Sequence, residues 1–488
     1  MKEAYIAVDI GASSGRLMKS NYELDDRITL EEVHRFKNGF SQKDGHDRWE
    51  INRLIEEIIN GLEKVKQSGI EKCYVGIDTW AVDYCLIDKH GCLKEAPISY
   101  RDDRTKGAVQ EFTRHYSLEK LYEKTGIQIQ PFNTIFQLLA EDQQKLREAH
   151  QLLLIPDYIG YVFTGKAVTE KTNASTMQLL NPESKNWDGE LLKLVGLREE
   201  QLPPLVEAGT VLGTLLQEKF PTRDLPEATF ITVATHDTAS AVIGTPGCGE
   251  NWAYISSGTW SLLGIETTLF NVSRQAFFEN YTNEWGAHNT IRFLKNIMGM
   301  WLIQEVARMQ KYQYSYAELA EQAAAAPGFQ QFIDVNDPVF LNPDNMIEAL
   351  QSYCRNTNQK VPETAGELAR CIYDNLALCY AVELEKMEGL TGTGEKINKL
   401  HIVGGGANNL FLNQLTANAA GIPVEAGPGE ATAIGNILMQ MIATGIFNNL
   451  EEARKVIQKS FDFSIHQPEP FDNQIIEAYK SMIEGAKK

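Results

Sequence analysis

The sequence predicts an α/β protein of two lobes, and three observations carry that expectation. At 488 residues the chain is too long for a single compact core. Strand-like apolar runs alternate with amphipathic helical stretches, the order found where helices cover sheets. The opening stretch Tyr5-Ile-Ala-Val-Asp-Ile-Gly-Ala-Ser-Ser-Gly-Arg-Leu-Met18 reads as strand, tight turn, strand. About halfway along, Ala253-Tyr-Ile-Ser-Ser-Gly-Thr-Trp-Ser-Leu-Leu-Gly264 repeats it, so each hairpin is expected to open one lobe and the pair to grip one phosphate chain.

Composition narrows the class. Hydrophobic content of 43% and charged content of 23% are those of a soluble globular protein. A net charge of −19 argues against nucleic acid or an anionic membrane as partner. It leaves ATP open, because local donors and a divalent cation override the global field. The start, Met-Lys-Glu-Ala-Tyr, carries an acid and too short an apolar run for a signal peptide, and no run nears the ~18 apolar residues of a membrane span. Seven cysteines, with no C-x-x-C pair, suggest reduced thiols and a cytoplasmic setting. Cys354 and Cys371 could meet between packed helices, but a disulfide is not expected there.

In the first hairpin, Gly11 and Gly15 let backbone N–H groups crowd an anion, while Ser13 and Ser14 add hydroxyls. The alternative is an ordinary hairpin with a solvated tip. Asp9 weighs against it, since an acid among apolar neighbours needs a partner, and a metal ion with phosphate would be one. A third strand is expected over residues 28–36 after the Asp25-Asp26 turn, then a polar loop over 37–48. A helix follows with Ile51, Leu54, Ile55, Ile58, Ile59, Leu62 and Val65 on one face, stopped by Gly69. Residues 73–87 read as strand, bend at 79–81, strand. At that bend Asp78 and Asp83 are either turn-capping carboxylates or neighbours of a small-molecule pocket walled by Trp80 and Ala81. The charged loop 100–104 suits a polyol or surface ion pairs. Helical segments to about Gln144 are interrupted at 130–134, another helix starts at Ile155-Pro-Asp-Tyr158, and 202–224 reads as irregular connection.

Residues 228–235 form a strand that delivers His236-Asp-Thr-Ala-Ser240 to a short helix. An acid where a strand ends and a helix begins sits at the usual ligand end of an α/β sheet. Asp237 is either a helix N-cap or a general base for a substrate hydroxyl. Asn296 is expected near the start of a helix reaching about Met309, with Gln304 two turns on. Helices dominate residues 316–390. The strand at Leu400 then ends in Gly404, Gly405 and Gly406, where a planar base or ribose could lie on bare backbone. A helix through Ala420, a short strand at 422–424 and two final amphipathic helices complete the chain.

The motifs Ala7-Val-Asp-Ile-Gly-Ala-Ser-Ser-Gly-Arg16, Gly76-Ile-Asp-Thr-Trp-Ala-Val-Asp83, Ala234-Thr-His-Asp-Thr-Ala-Ser-Ala241, Ser256-Ser-Gly-Thr-Trp-Ser261, Lys295-Asn-Ile-Met-Gly299 and His401-Ile-Val-Gly-Gly-Gly406 stand in one order along the chain. That set resembles the FGGY carbohydrate kinases of the actin-like ATPase superfamily. The resemblance implies two ribonuclease-H-like lobes with an interdomain cleft. Residues 1–244 would bind sugar and phosphate, 245–460 would bind nucleotide, and a helix in 461–488 would pack back on the lobes. It implies ATP-dependent phosphorylation of L-rhamnulose at its 1-hydroxyl, with L-fuculose or xylulose as alternative ketoses and a non-kinase actin-like ATPase as the rival class. Carried over, Ala12, Ser13, Ser14, Gly15 and Arg16 would hold ATP phosphates, and Asp9 a magnesium ion through water. Asp237 would be the base, with His236, Thr238, Ala81 and Asn296 at the sugar and Thr259, Gln304 and Gly404 at the nucleotide. Ala81 departs from the glycine of some members, and its methyl would tighten the pocket. The partners implied are a ketose and ATP, with a monomer or small homo-oligomer as the assembly.

Overall fold

The computed structural model describes residues 4–23, 26–391 and 396–486, so Asp25 of the expected turn lies outside the described residues. The chain divides into two compact units, each drawn from separate stretches. Met1–Gly244, Glu266–Phe293 and Ala431–Ser460 make the first; Thr245–Ile265, Leu294–Glu430 and Phe461–Lys488 make the second.

The first unit is built on a six-stranded sheet in the order Thr210–Thr214, Glu227–Thr232, Lys72–Thr79, Ala4–Ile10, Ser14–Ser20, Glu31–Lys37. Every residue of Ala4–Ile10 is buried. It lies antiparallel to Ser14–Ser20 and parallel to Lys72–Thr79, which explains an apolar run without alternation. Lys72–Thr79 in turn runs parallel to Glu227–Thr232. Parallel strands bring their C-terminal ends to one edge. There Asp9 stands level with Asp78, and Thr79 bridges to His236, so three motifs distant in sequence share that edge. Helix Ile51–Gln67 buries the expected apolar face. A second core lies around Tyr84–Ile87, which pairs with Gln151–Leu154 and packs with Ile135, Phe136 and Leu191.

Two expectations for this unit are corrected. Residues 202–224 contain the edge strand Thr210–Thr214, paired antiparallel to Glu227–Thr232 through a bulge between Val211 and Gly213. A short, bulged edge strand lacks the run that marks a strand in sequence. The polar stretch 37–48 holds the hairpin strand Phe40–Lys43 and most of its partner His46–Trp49; all four residues of the former are exposed, so no alternation shows.

In the second unit, Trp252–Ser257 lies antiparallel to Trp260–Thr267 and parallel to Lys399–Val403, the arrangement that surrounds Ala4–Ile10. Val424–Ala426 and Ser464–His466 extend the sheet. Helix Ala365–Thr391 packs against Tyr316–Ala325 and Leu410–Ala420. Cys371 on this helix and Cys354 on Met346–Asn356 are neighbouring buried free thiols. Asn296 requires a correction: it lies in strand Ile291–Met298, not at the start of helix Trp301–Met309, whose N-cap is Met300. The β-branched and aromatic content of this stretch prevails over its approach to the helix.

Candidate active site

Past strand Glu227–Thr232 the chain crosses to helix Asp237–Ile243, whose N-cap is His236. Asp237 is therefore the first helical residue and not the cap. Its Oδ1 accepts hydrogen bonds from Thr238 N at 2.6 Å and Thr238 Oγ1 at 3.2 Å, and 32% of its side chain stays exposed. Burial raises its pKa, and the charge of the Asp9 carboxylate adds to this. A carboxylate of raised basicity, open on one side, suits proton abstraction.

Asp9 has a partner within the protein. Arg16, opposite it across the hairpin, donates from Nε at 3.0 Å and Nη2 at 2.8 Å. The ion pair gives Asp9 a partner within the protein and engages one of the expected phosphate ligands. The turn itself is tied by Gly11 N donating to Ser14 O and Asn38 Nδ2 donating to Gly11 O, which leaves Ser13 exposed at its tip. Gly15 answers to packing, because a Cβ there would overlap the Phe36 ring. Asp78 is fully buried. Its Oδ2 accepts from Asn436 Nδ2 at 2.6 Å, while Oδ1 has no hydrogen-bond partner. Burial, then the charge of Asp9, drives its pKa well up.

The bend after Lys72–Thr79 forms a rigid wall. Asp83 accepts from Trp49 Nε1 at 2.6 Å, Trp80 Nε1 at 3.0 Å, Gln137 Nε2 at 3.0 Å and Tyr100 N at 3.1 Å. Burial still lifts its pKa to about 6 against those four donors. Asp83 is thus the hub of the bend, and Asp78 a strand residue; neither is a simple turn cap. Val82 holds φ at +68°, a left-handed conformation costly for a β-branched residue and kept by the contacts around it. Beside half-buried Ala81, aromatic rings run from Trp80 to Trp49 at 4.2 Å between centroids, with Tyr100 and Phe132 at 5.6 Å.

Sequence reading missed the residues that hold His236 and Asp237 in place. Glu170, fully buried, accepts from Thr235 N at 3.0 Å and Thr235 Oγ1 at 2.9 Å, just before His236. Glu284 Oε2 lies 3.3 Å from His236 Nδ1 and 2.9 Å from Nη2 of Arg292, which is wholly buried. Burial pushes the Glu284 carboxyl up, but the charge of Arg292 beside it outweighs that and holds the pKa down at about 2. A lone acid in Thr282–Trp285 has no local signature, so only the fold reveals its partners.

In the second unit, the turn after Trp252–Ser257 is closed by Gly258 N donating to Trp260 O. Thr259 Oγ1 donates to Gln304 Oε1 at 3.3 Å. Gly404 holds φ at +82°, and a Cβ on Gly406 would overlap Ser257 Oγ, so the triglycine turn lies directly against the hairpin. Between them opens a cavity of about 620 Å³, lined by Gly258, Gln304, Gly405 and Gly406 and, beyond the expected residues, by Met300, Tyr316, Ala320 and Asn408. Asn296 and Gly404 do not line it. The structure thus gathers Asp9, Arg16, Asp78, His236 and Asp237 around one sheet edge of the first unit, and Gln304 with the triglycine turn around a cavity of the second.

Comparison with known proteins places this geometry. Residues 4–244 match the N-terminal domain of the FGGY family of carbohydrate kinases, and residues 253–444 match its C-terminal domain. The chain is 64% identical over 482 residues to a rhamnulokinase of Enterococcus faecalis, covering 99% of this chain and 98% of that one. It is 52% identical over 480 residues to a rhamnulokinase of Bacillus subtilis, covering 98% of each. Among solved structures, a ligand-bound xylulose kinase from Lactobacillus acidophilus aligns with a TM-score of 0.81 at 17% identity, over 99% of this chain and 96% of that one. Plasmodium falciparum glycerol kinase with ADP aligns with a TM-score of 0.82 at 15% identity, over 100% and 98%. These two show the fold. The chain belongs to the FGGY family of carbohydrate kinases.

Proposed function

We propose that this ATP-dependent carbohydrate kinase phosphorylates L-rhamnulose at its 1-hydroxyl, giving L-rhamnulose 1-phosphate and ADP in the breakdown of L-rhamnose. The observation that carries the reading is Asp237, a carboxylate of raised pKa beside His236 in a chain 64% identical to a rhamnulokinase along nearly its whole length. Asp237 takes the proton of the 1-hydroxyl as its oxygen attacks the γ-phosphorus, and ADP leaves. His236, Thr238, Ala81 and Asn296 position the sugar. Trp80 and Phe132 offer an apolar face for its terminal methyl. Tyr84, close by in sequence, donates to Glu141 and packs in the second core.

Ala12, Ser13, Ser14, Gly15 and Arg16 hold ATP phosphates in this reading, together with Thr259. Gln304 and Gly404 meet the nucleoside, and the cavity lined by Tyr316 and Ala320 takes the base. The carboxylates suit a hydrated magnesium ion. Asp78 Oδ1 is buried without a hydrogen-bond partner, and the carboxyl groups of Asp9 and Asp78 lie level on adjacent strands. Asp9 would hold the ion through water, since magnesium keeps several waters and few carboxylates. When bound, such an ion screens the phosphate charge.

No helix among the described residues is long and apolar enough to cross a membrane, and all seven cysteines are free. A cytoplasmic enzyme, monomeric or a small homo-oligomer, is the setting we infer. ADP release tested on L-rhamnulose, L-fuculose and xylulose decides the substrate. Greatest kcat/KM on L-rhamnulose supports the reading; a higher value for either other ketose overturns the substrate and leaves the kinase.

A further inference from the structure

Three charged side chains surround His236: Arg292, Glu284 and Asp237. Arg292 Nη2 lies 3.1 Å from His236 Nδ1, with its hydrogen directed at that nitrogen. The same guanidinium meets Glu284 Oε2 at 2.9 Å and donates from Nε to Trp285 O at 3.3 Å. A guanidinium has only donors and keeps its proton in proteins. Nδ1 must therefore present its lone pair to Arg292. A neutral imidazole with a lone pair on Nδ1 carries its hydrogen on Nε2, the nitrogen 3.5 Å from Asp237 Oδ1.

The competing arrangement puts the hydrogen on Nδ1, aimed at Glu284 Oε2 at 3.3 Å. That hydrogen would crowd the one on Arg292 Nη2, and the carboxylate is already neutralised by the shorter contact with the guanidinium. A doubly protonated ring would set a second cation against a buried guanidinium with one carboxylate for both. We propose that Arg292 and Glu284 lock His236 as the neutral Nε2–H tautomer, making it a hydrogen-bond donor beside Asp237 and not a second base. The proposal deepens the kinase reading and rests on it. Asp237 accepts the proton of the reacting hydroxyl, while His236 Nε2–H donates to the neighbouring substrate oxygen and fixes the hydroxyl's direction. Arg292 and Glu284 touch no reacting atom and are positioning residues.

The test begins with the unmodified enzyme labelled with ¹⁵N-histidine. Long-range ¹H–¹⁵N spectra, with the His236 signals assigned by their loss in His236→Gln, should show a lone-pair Nδ1 and a protonated Nε2. A protonated Nδ1 overturns the proposal. In Arg292→Met the ring is freed to take a proton on Nδ1. We expect kcat/KM for the ketose to fall about 10- to 100-fold and its pH profile to gain an acid-side ionisation. A fall with an unchanged profile overturns the lock. His236→Gln, whose amide N–H stands in for Nε2–H, should retain more kcat/KM than His236→Ala; equal losses overturn the donor role. If Arg292→Met does not fold, the spectra of the unmodified enzyme decide. Those spectra need no substrate, so an enzyme with the expected tautomer but no ketose phosphorylation refutes the kinase reading and leaves the tautomer standing.

Discussion

Asp237 and His236 are adjacent in sequence, and the roles proposed for them, base and donor, are opposite. Asp237→Asn keeps shape and polarity but cannot take a proton, so turnover should fall about 10²–10⁴-fold with the melting temperature nearly unchanged. Steady-state ADP release and thermal melts check this; near-normal turnover would return Asp237 to a purely structural role. Because its pKa is raised, the acid limb of kcat/KM should lie above the ordinary aspartate range near ~3.9. Glu284 behaves in the reverse sense. Its folded pKa, about 2, lies below its ordinary value of 4.5, so its contribution to stability is present above about 4.5 and lost as pH falls towards 2. Melts of Glu284→Gln against the unmodified chain should show a gap at neutral pH that narrows through that window. A gap constant with pH would mean the Glu284 charge contributes nothing to stability.

At the scale of elements, helix Ala431–Ala443 shows how late sequence can complete an early site. Its Asn436 donates to Asp78, and its Gln440 donates to the Ile6 carbonyl at 2.9 Å. Asn436→Ala would strip a buried carboxylate of this donor, at a cost of about 1–3 kcal/mol in denaturant melts. The triglycine turn allows a second test. Gly404 sits at φ +82°, and a Cβ there would stand 2.8 Å from Ser257 O. Gly404→Ala should cost about 1–3 kcal/mol through the backbone alone, because φ +82° with ψ −171° is a region essentially reserved for glycine. It should also raise KM for ATP more than KM for the ketose, and an unchanged KM for ATP would remove this turn from the nucleotide site.

For the whole molecule, two sheets built around matching hairpins give a protein whose stability should respond to ligands of both kinds. A ligand that binds only the native state at a hundred times its Kd stabilises by about 2.7 kcal/mol. Thermal shift with a non-hydrolysable ATP analogue, with L-rhamnulose, and with both, measures this directly. Absence of any shift with saturating analogue would refute the nucleotide assignment. Ketoses that differ only at the terminal methyl should be discriminated modestly, since such a contact is worth about 1–3 kcal/mol.

The amino-acid sequence by itself determined the α/β class, the paired hairpins, helix Ile51–Gln67 and the placement of Asp237 where a strand hands over to a helix. These are local matters: apolar runs, helical period and turn chemistry act over a few residues and are legible there. What lay beyond it were contacts set by strand register or made between distant stretches. Arg16 claims Asp9 across the hairpin, Asn436 reaches Asp78, and Glu284 with Arg292 close around His236. A buried charge records in its own neighbourhood that it needs a partner, but not which one. The register of strands and the seating of helices choose that partner, so the tertiary structure alone decided which carboxylates are paired.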